Sequence, residues 1–358
     1  MIYIHVPFCK RFCVYCDFYS ELYSEREAER FTDEVCKEIR TRSNEIDDRV
    51  KTLYFGGGTP SVLPLSALSR ILITLDQVGH GGPYNEFTIE ANPEDIVERG
   101  VGYVRSLLSL GMNRLSLGVQ SFDGELLKWM NRRHDSAHAV EPVKTAREAG
   151  VKNLSLDLIF GLSNLSDEVW EATLDKAIAL KPEHISCYQL TVEGDCALAS
   201  MVREGRYEEA SDELCRRQYD ALCLKMAEAG YHHYEISNFS LPGFEAVHNS
   251  GYWKRIPYAG FGPSAHSFTG TGRSWNDSSL SAYGRTMETL SDEDSAVETV
   301  MLALRRDSGI EATVLENLCR KEAVSKLVSE GALVRNGSRY RIPEDHFFVS
   351  DEIIRELI

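Results

Sequence analysis

The sequence has no long apolar segment, no excess of basic residues and few cysteines. No stretch of the 358 residues approaches the ~18 consecutive apolar positions of a membrane-spanning helix. Lys and Arg number 39 against 55 Asp and Glu, and the formal net charge of −16 argues against non-specific binding to nucleic acid or to anionic membranes. The chain also lacks short repeats and low-complexity tracts. With 43% hydrophobic residues, its composition is that of a globular protein.

The cysteine content and the N-terminus indicate a compartment. Nine cysteines are too sparse, and odd in number, for a secreted disulfide framework, so a reducing compartment is the simpler interpretation. Residues 1–5 show no basic region followed by an apolar stretch, and we therefore expect no secretory signal peptide. These features predict a cytoplasmic protein.

Short β-rich runs alternate with segments of helical spacing over the first 200 residues. This alternation predicts right-handed βαβ units around a parallel sheet. Six units in this length predict an incomplete, open (β/α)6 barrel of the α/β class, because a closed eight-stranded barrel typically needs about 250 residues. The predicted strands span residues 2–5, 52–55, 86–90, 114–119, 154–160 and 184–190, and the predicted helices span 28–42, 67–75, 101–110, 137–149 and 168–180.

The pattern changes after residue 200, and we predict three regions. The barrel covers residues 1–200, an irregular α+β extension covers 201–290, and a small C-terminal module covers 291–358. In the module, helices precede a hairpin with an Asn336-Gly337 turn, which is typical of a winged helix. Residues 295–358 contain 9 Lys and Arg against 11 Asp and Glu, so a structural or docking role is favoured over DNA binding and we expect no nucleic-acid partner.

Three cysteines lie within eight residues, at positions 9, 13 and 16. Three thiolates at this spacing can hold three irons of a [4Fe–4S] cluster and leave the fourth iron open to a non-protein ligand. Zinc with His5 as a fourth ligand is the competing interpretation, and three unrelated cysteines are the remaining one. The other cysteines are scattered and are interpreted as small core residues or free thiols: Cys36, Cys187, Cys196, Cys215, Cys223 and Cys319.

Polar residues and glycines follow the predicted strands, at the ends where a β/α barrel carries its functional groups. The glycines at 56–58 would let backbone groups approach a ligand closely, although such a triplet alone is also typical of a tight turn. Glu90, Gln120 and Asp157 interrupt apolar runs near three further strand ends. Each could cap or pair locally, but an unpartnered buried carboxylate is costly. Together they predict a site for a polar ligand.

The C-x3-C-x2-C spacing, with an aromatic residue before the last cysteine, resembles the radical S-adenosylmethionine (SAM) superfamily. The resemblance implies that SAM chelates the open iron and that an electron from the cluster cleaves it to a 5′-deoxyadenosyl radical. More segments, over residues 1 to about 270, resemble the oxygen-independent coproporphyrinogen III oxidase (HemN) family. They are YIHVPFC at 3–9, CDF at 16–18, GGGTP at 56–60, EANP at 90–93, RLSLGVQSF at 114–122, NR at 131–132 and DLIFGL at 157–162.

This resemblance assigns ligands for both cofactors. It implies that the cluster ligands are Cys9, Cys13 and Cys16. It implies that SAM is bound by Tyr3, Gly57, Gly58, Thr59, Glu90, Gln120, Arg132, Asp157 and Thr191, where position 191 departs from the oxidase pattern.

Three departures from the oxidase resemble the HemW branch, its haem-chaperone-like relatives. Phe18 stands where the oxidase has a fourth cysteine, and two residues precede Tyr3 where the oxidase has a long N-terminal segment. Residues 248–253 (HNSGYW) resemble the HNxxYW motif. Imidazole is a standard axial ligand of haem iron and aromatic rings cover the macrocycle. The resemblance therefore implies a haem site formed by His248, Asn249, Tyr252 and Trp253.

Alternatives to this haem site remain open. The motif could instead be a surface loop in which the histidine only hydrogen-bonds. The other candidate axial ligands nearby are His232, His233 and His266. Lys254 and Arg255 are candidates for binding the haem propionates, or else solvated surface charges.

The resemblance implies a haem chaperone that carries a [4Fe–4S] cluster, SAM and haem, receives electrons from a donor and transfers haem to acceptor proteins. The cluster would serve electron transfer, dimerisation or SAM-dependent gating. The alternative is the oxidase reaction, SAM-dependent oxidative decarboxylation of coproporphyrinogen III, or another radical SAM reaction. Whether the protein is an enzyme, a homodimer, or docks transiently on a membrane-bound haem acceptor stays open at this point.

Overall fold

The computed structural model describes residues 1–133, 139–194, 196–280 and 283–358. The strands, in chain order, are β1 (Ile2–Val6), β2 (Phe8–Cys9), β3 (Glu21–Leu22), β4 (Thr52–Gly57), β5 (Glu86–Ala91), β6 (Arg114–Gln120), β7 (Leu154–Phe160), β8 (His184–Gln189), β9 (His232–Glu235), β10 (Asn238–Ser240), β11 (Ala259–Phe261), β12 (His266–Phe268), β13 (Gly272–Asn276), β14 (Arg285–Thr289), β15 (Ile310–Glu311), β16 (Val334–Asn336) and β17 (Arg339–Arg341). The helices are α1 (Glu25–Arg42), α2 (Leu65–Gln77), α3 (Pro93–Ser109), α4 (Gly124–Trp129), α5 (Glu141–Ala149), α6 (Asp167–Ala179), α7 (Ala197–Arg203), α8 (Asp212–Glu228), α9 (Val247–Trp253), α10 (Asp292–Leu304), α11 (Ala312–Leu318), α12 (Lys321–Ser329) and α13 (Ser350–Leu357), with 3-10 turns at Ser43–Glu45, Pro60–Val62 and Glu344–Val349.

The predicted open (β/α)6 barrel is confirmed. The six predicted strands are β1, β4, β5, β6, β7 and β8, and they lie side by side in chain order with every pair parallel. Most of their residues are buried, as expected where helices cover the outside of a parallel sheet. Apolar side chains alternate along the strands with polar ones, such as Arg114 and Ser116 on β6 and Ser155 on β7. Because the strands share one direction, their carboxyl ends meet at one end of the barrel.

Several helices begin at recognisable caps, and two of the five predicted helices differ from their predicted start by four residues or more. The Ser24 hydroxyl accepts a hydrogen bond from the backbone of Glu27, and α1 buries the face that carries Phe31 and Val35. Helix α3 begins at Pro93, eight residues before its predicted start, because proline is well suited to the first turn of a helix. At Gly100, where φ is +70°, the backbone of α3 departs from helical dihedral angles. Helix α5 begins at Glu141, and residues 137–138 of its predicted span lie outside the described residues.

The predicted irregular extension contributes strands to the barrel sheet itself. Strand β11 pairs in parallel with β1 at one edge, and β10 pairs antiparallel with β8 at the other, followed by β9. The nine-stranded order is β11-β1-β4-β5-β6-β7-β8-β10-β9. The edge strands are three or four residues long, too short for a sequence period to reveal them. The division of the chain near residue 200 remains a prediction.

The C-terminal residues form helices followed by a small sheet, as predicted. Strands β16 and β17 form the expected hairpin, with Gly337 at φ +60° in its turn, and β15 pairs with β17. Helix α13 follows and was not predicted. In the part of the chain that the structure describes, no helix has the length and apolar character needed to span a membrane.

Candidate cofactor site

A cavity of about 620 Å³ lies at the carboxyl ends of the barrel strands. Its walls combine the cysteine loop, the glycine turn after β4 and residues from the ends of β5, β6, β7 and β8. Barrels of this kind carry their functional groups at this end, so the position agrees with a cofactor site.

The three clustered cysteines all line this cavity, and the distances between their sulfur atoms argue against a single zinc ion. Among the described residues, their sulfurs do not gather within 4.8 Å of one another. Two thiolates on one zinc ion, each at ~2.3 Å, are at most about 4.6 Å apart. His5 is not free as a further ligand, because its nitrogens lie 3.1 Å from the Tyr3 hydroxyl and 3.1 Å from the Tyr19 carbonyl. The donor set therefore suits a larger, multi-iron cluster.

Burial raises the pKa of Cys9, and it raises the pKa of Cys16 to about 12. Without a cation the thiols therefore keep their protons, and a metal centre would have to displace them. Two neighbours are placed to stabilise sulfur charge: the Thr59 hydroxyl lies 3.3 Å from the Cys9 sulfur, and the Arg132 guanidinium donates to the Cys13 sulfur at 3.4 Å.

Arg132 also fixes the surroundings of the cysteine loop. Its second terminal nitrogen donates to the Asn92 side chain at 2.9 Å and to the Gly118 carbonyl at 2.5 Å. Its Nε is buried and has no hydrogen-bond partner among the described residues. A buried donor without a partner is costly. The wall of the cavity thus keeps one donor that an anionic group of a ligand could satisfy.

Two half-buried carboxylates face the same cavity. Burial raises the pKa of Glu90 to about 7, and the charge of Asp157 also acts to raise it. The hydrogen bond from the Tyr54 hydroxyl at 2.6 Å acts in the opposite direction and lowers this pKa. Burial also raises the pKa of Asp157, whose oxygens accept from the Ser116 hydroxyl at 3.1 and 3.2 Å. A cationic ligand would relieve this repulsion between carboxylates.

Glycine is required at two positions of the turn after β4. Gly57 has φ +104°, and an added Cβ would lie 2.7 Å from the His5 ring. At Gly58 an added Cβ would lie 2.9 Å from the Phe8 carbonyl oxygen. Without side chains the backbone of this turn lines the cavity directly, as a ligand-binding cradle requires.

Gln120 ends β6 in a strained conformation beside the cavity. Its φ is +66°, and the pairing of β6 with β7 shifts register between Leu117 and Gln120. Bulges of this kind re-aim side chains next to functional sites.

Comparison with known proteins identifies the family. The sequence profile of the Radical SAM superfamily matches residues 3–177. The chain is 30% identical to the heme chaperone HemW of Lactococcus lactis, over 99% of this chain and 96% of the relative. It is 32% identical to the HemW of Bacillus subtilis, over 86% and 84% of the two chains. This chain belongs to the HemW family of radical SAM proteins. The family implies a [4Fe–4S] cluster and SAM as cofactors.

A solved structure shares the fold of this HemW-family chain. Coproporphyrinogen III oxidase (HemN) from Escherichia coli superposes with a TM-score of 0.83 over 99% of this chain and 89% of that one, at 20% sequence identity. At this identity the likeness supports the barrel and its extension and does not bear on activity.

The structure brings together most of the residues that the resemblance to the HemN family implied for SAM. Eight of the nine line the cavity: Gly57, Gly58, Thr59, Glu90, Gln120, Arg132, Asp157 and Thr191. Tyr3 does not; it lies behind the wall, with its ring 6.1 Å from that of Tyr54 and its hydroxyl bonded to His5.

Sequence reasoning missed several lining residues. Arg114, Ser116 and Gly118 line the cavity together with Gln120 because alternate residues of β6 face the same side. Ser186 and Tyr188 do the same on β8. They could have been predicted from the sequence by taking every second residue of each strand, counted back from the last polar residue of that strand.

The motif predicted to bind haem is only partly at the cavity. Asn249 lines it, whereas the His248 ring is fully buried. The ring nitrogens of His248 lie 2.8 Å from the Thr52 hydroxyl and 2.8 Å from the Tyr252 hydroxyl, and burial lowers its pKa to about 3. In this arrangement His248 holds α9 against β4. Its role as a haem ligand stays a prediction.

Asp95, in the first turn of α3, holds the cysteine loop in this HemW-family chain. Its fully buried carboxylate lies 2.8 Å from Lys10, 3.0 Å from Arg133 and 2.9 Å from the Ser61 hydroxyl. Lys10 follows Cys9, and Arg133 follows Arg132. The buried carboxylate therefore joins the two segments that meet at the cluster site.

We expect Asp95→Asn to lower the free energy of unfolding by about 3 kcal/mol, because two cations lose their buried counter-charge. The variant should also retain less iron after anaerobic reconstitution. Glu98→Gln is the matched control: Glu98 pairs with the same two cations but is 52% exposed, so its loss should cost less than about 1 kcal/mol. Denaturant unfolding measures both variants, and equal effects would show that burial of Asp95 is not what matters.

Proposed function

We propose that this protein is a haem chaperone that binds haem, carries a [4Fe–4S] cluster and SAM, and hands haem to acceptor proteins. The observation that carries the proposal is the similarity to heme chaperones over nearly the whole length of both chains. The function requires haem-acceptor proteins and an electron donor as partners.

The residues of the cavity fit the two family cofactors. We assign Cys9, Cys13 and Cys16 to three irons of the cluster, which supplies an electron to SAM when both are bound. SAM carries an amino group, a sulfonium and a carboxylate. Glu90 and Asp157 supply negative charge for the cationic groups, and the unpaired Nε of Arg132 supplies a donor for the carboxylate. The backbone of Gly57 and Gly58 leaves room for close approach.

The mouth of the cavity offers apolar surface that suits a tetrapyrrole. Phe18 is 65% exposed and Phe12 is 43% exposed, and both line the cavity. Large exposed aromatics at a cavity rim are typical of binding surfaces. Phe18 also occupies the position at which the oxidase resemblance would require a fourth cysteine, which favours the chaperone over the decarboxylating enzyme.

The described histidines differ in their access to haem iron. Coordination by His248 would break one of its two hydrogen bonds and open a buried ring. His266 is exposed and lies nearly parallel to the Trp275 ring at 6.0 Å, and its ring makes no hydrogen bond or ion pair with the described residues. Coordination of iron by this imidazole would therefore break no hydrogen bond.

The test is titration of the anaerobic, cluster-loaded protein with haem, followed by the Soret band. We expect one haem per chain. Because coordination by His266 would break no hydrogen bond, we expect His266→Ala to lose the Soret shift and His248→Ala to keep it. The opposite pattern would assign the ligand to His248 and require α9 to open. Absence of saturable haem uptake, or production of protoporphyrinogen from coproporphyrinogen with SAM and reductant, would overturn the proposed function.

A further inference from the structure

Away from the barrel cavity, three metal-ligating side chains converge where the C-terminal module meets the barrel extension. Cys223 lies on α8, His233 lies on β9, and Glu344 begins the 3-10 turn Glu344–Val349. The Cys223 sulfur, a His233 ring nitrogen and a Glu344 carboxylate oxygen all lie within 4.8 Å of one another. Within the described residues, no other group of this kind is found.

The separations of these donor atoms match those of ligands on one tetrahedral ion. Glu344 Oε1 lies 3.0 Å from His233 Nδ1, and Cys223 Sγ lies 3.9 Å from the same nitrogen. For zinc with bonds of ~2.0–2.1 Å to nitrogen and oxygen and ~2.3 Å to sulfur, a tetrahedron separates nitrogen from oxygen by about 3.3 Å and sulfur from nitrogen by about 3.6 Å. Displacements of a few tenths of an ångström would complete the geometry.

Nδ1 is the His233 nitrogen that faces the other two donor atoms. Its Nε2 faces the Ile236 carbonyl at 3.4 Å and the Tyr219 hydroxyl at 3.4 Å. The Tyr219 hydroxyl donates to the Ile236 carbonyl at 3.1 Å, so both neighbours of Nε2 can accept from an Nε2–H. Without a metal ion the Glu344 carboxylate at 3.0 Å calls for the proton on Nδ1, because a carboxylate only accepts; a metal ion on Nδ1 would move the proton to Nε2, where these acceptors receive it. Metal-bound histidines are held in the same way, by donation of the other N–H to a carbonyl.

Three donor atoms therefore face each other. Nδ1 of His233, the Glu344 carboxylate and the Cys223 sulfur share one space, and the contact at 3.0 Å is favourable either with a proton on Nδ1 or with a metal ion between the atoms. A proton on Nδ1 serves only the pair with Glu344. A metal ion serves all three groups at once.

We propose that Cys223, His233 and Glu344 form a binding site for a divalent transition-metal ion, with zinc as the ion that best fits a sulfur, nitrogen and oxygen donor set. The side chain of Glu344 is 55% exposed, so water can reach the fourth position. The ion joins the C-terminal module to the barrel extension, where the Tyr219 and Phe348 rings already pack at 5.5 Å. This site is separate from the cluster and does not depend on the proposed haem function.

The experiment is equilibrium dialysis of the cluster-loaded, full-length protein against buffered Zn²⁺, with iron and zinc measured together by mass spectrometry. We expect one zinc per chain with the iron content unchanged. Cys223→Ser and Glu344→Gln should each lower the zinc affinity at least ~10-fold, since each removes one of three protein ligands. Glu344 is half-exposed, so its replacement leaves the fold in place.

Two matched variants control for general effects. Cys196→Ser removes another half-buried thiol, one whose sulfur accepts from the Ala199 backbone as a serine oxygen would. Asp345→Asn removes the neighbouring exposed carboxylate. Both should bind zinc as the unaltered protein does. Absence of zinc uptake, uptake matched by loss of iron, or unchanged affinity in both Cys223→Ser and Glu344→Gln would overturn the proposal.

Discussion

Replacing Cys9, Cys13 or Cys16 singly with serine is expected to reduce the iron bound after anaerobic reconstitution from about four per chain to almost none. We assign each thiolate to a different iron of the cluster, so the two remaining ligands are not expected to retain it. No further cysteine lines the cavity among the described residues, so no other thiol can substitute. Iron and sulfide analysis, together with the visible absorption of the cluster, measures the effect.

The control for these variants is Cys36→Ser. Cys36 lies on α1, is buried in the apolar core and does not line the cavity. The variant should reconstitute with the full iron content even where its stability falls. If a single replacement at position 9, 13 or 16 kept about four irons, the assignment of these residues as the cluster ligands would be wrong.

The second large effect is expected at Glu90, where binding and stability should change in opposite directions. Glu90→Gln removes a negative charge that we assign to the cationic groups of SAM, so we expect the SAM affinity of the cluster-loaded protein to fall at least ~10-fold at pH 8. The same change should stabilise the protein without SAM. Calorimetric titration with SAM and thermal unfolding of the SAM-free protein test the two halves separately.

The sign of the stability change follows from the pKa. Burial raises the pKa of Glu90 from an ordinary 4.5 to about 7 in the folded protein. Below pH 4.5 both folded and unfolded chains hold the proton and the residue contributes nothing. Above it the unfolded chain ionises first, so stability falls as the pH rises towards 7. The full loss is up to about 3 kcal/mol, and Glu90→Gln should recover it at pH 8.

The same pKa predicts how SAM binding depends on pH. The affinity of the unaltered protein should rise as the pH increases through about 7, because Glu90 then gains its charge, and the rise should be absent in Glu90→Gln. Glu98→Gln, at an exposed carboxylate outside the cavity, should keep the rise. A Glu90→Gln variant with both unchanged affinity and unchanged stability would remove Glu90 from the site.

Much of the fold was predictable because it depends on local sequence patterns. Strand β7 was predicted to the residue, and β6 to within one residue, since each is a short run in which apolar residues recur at alternate positions. The edge strands β9, β10 and β11 were not predicted. Strands β10 and β11 each pair with a strand that lies 50 or more residues earlier in the chain, and β9 pairs with β10. A three-residue segment such as Ala259–Phe261 is too short to show a periodic pattern of its own.

The candidate site likewise has a part that the sequence predicted and a part that only the structure shows. The spacing of the cysteines and the glycine triplet predicted a candidate cofactor site, and the described structure places the three cysteines, Gly57 and Gly58 on one cavity. The sequence could not show that the His248 ring is enclosed between Thr52 and Tyr252, or that Asp95 joins the two loops at the cysteines.

What the sequence by itself determined is therefore the barrel, its direction and the chemistry of the donors at its carboxyl end, because these depend on short-range periodicity and on residue type. The tertiary structure alone decided which side chains reach the cavity, which are buried behind it, and that Cys223, His233 and Glu344 meet although 121 positions separate the first from the last. Contacts of this kind arise from packing between elements distant in the chain, and no local pattern records them.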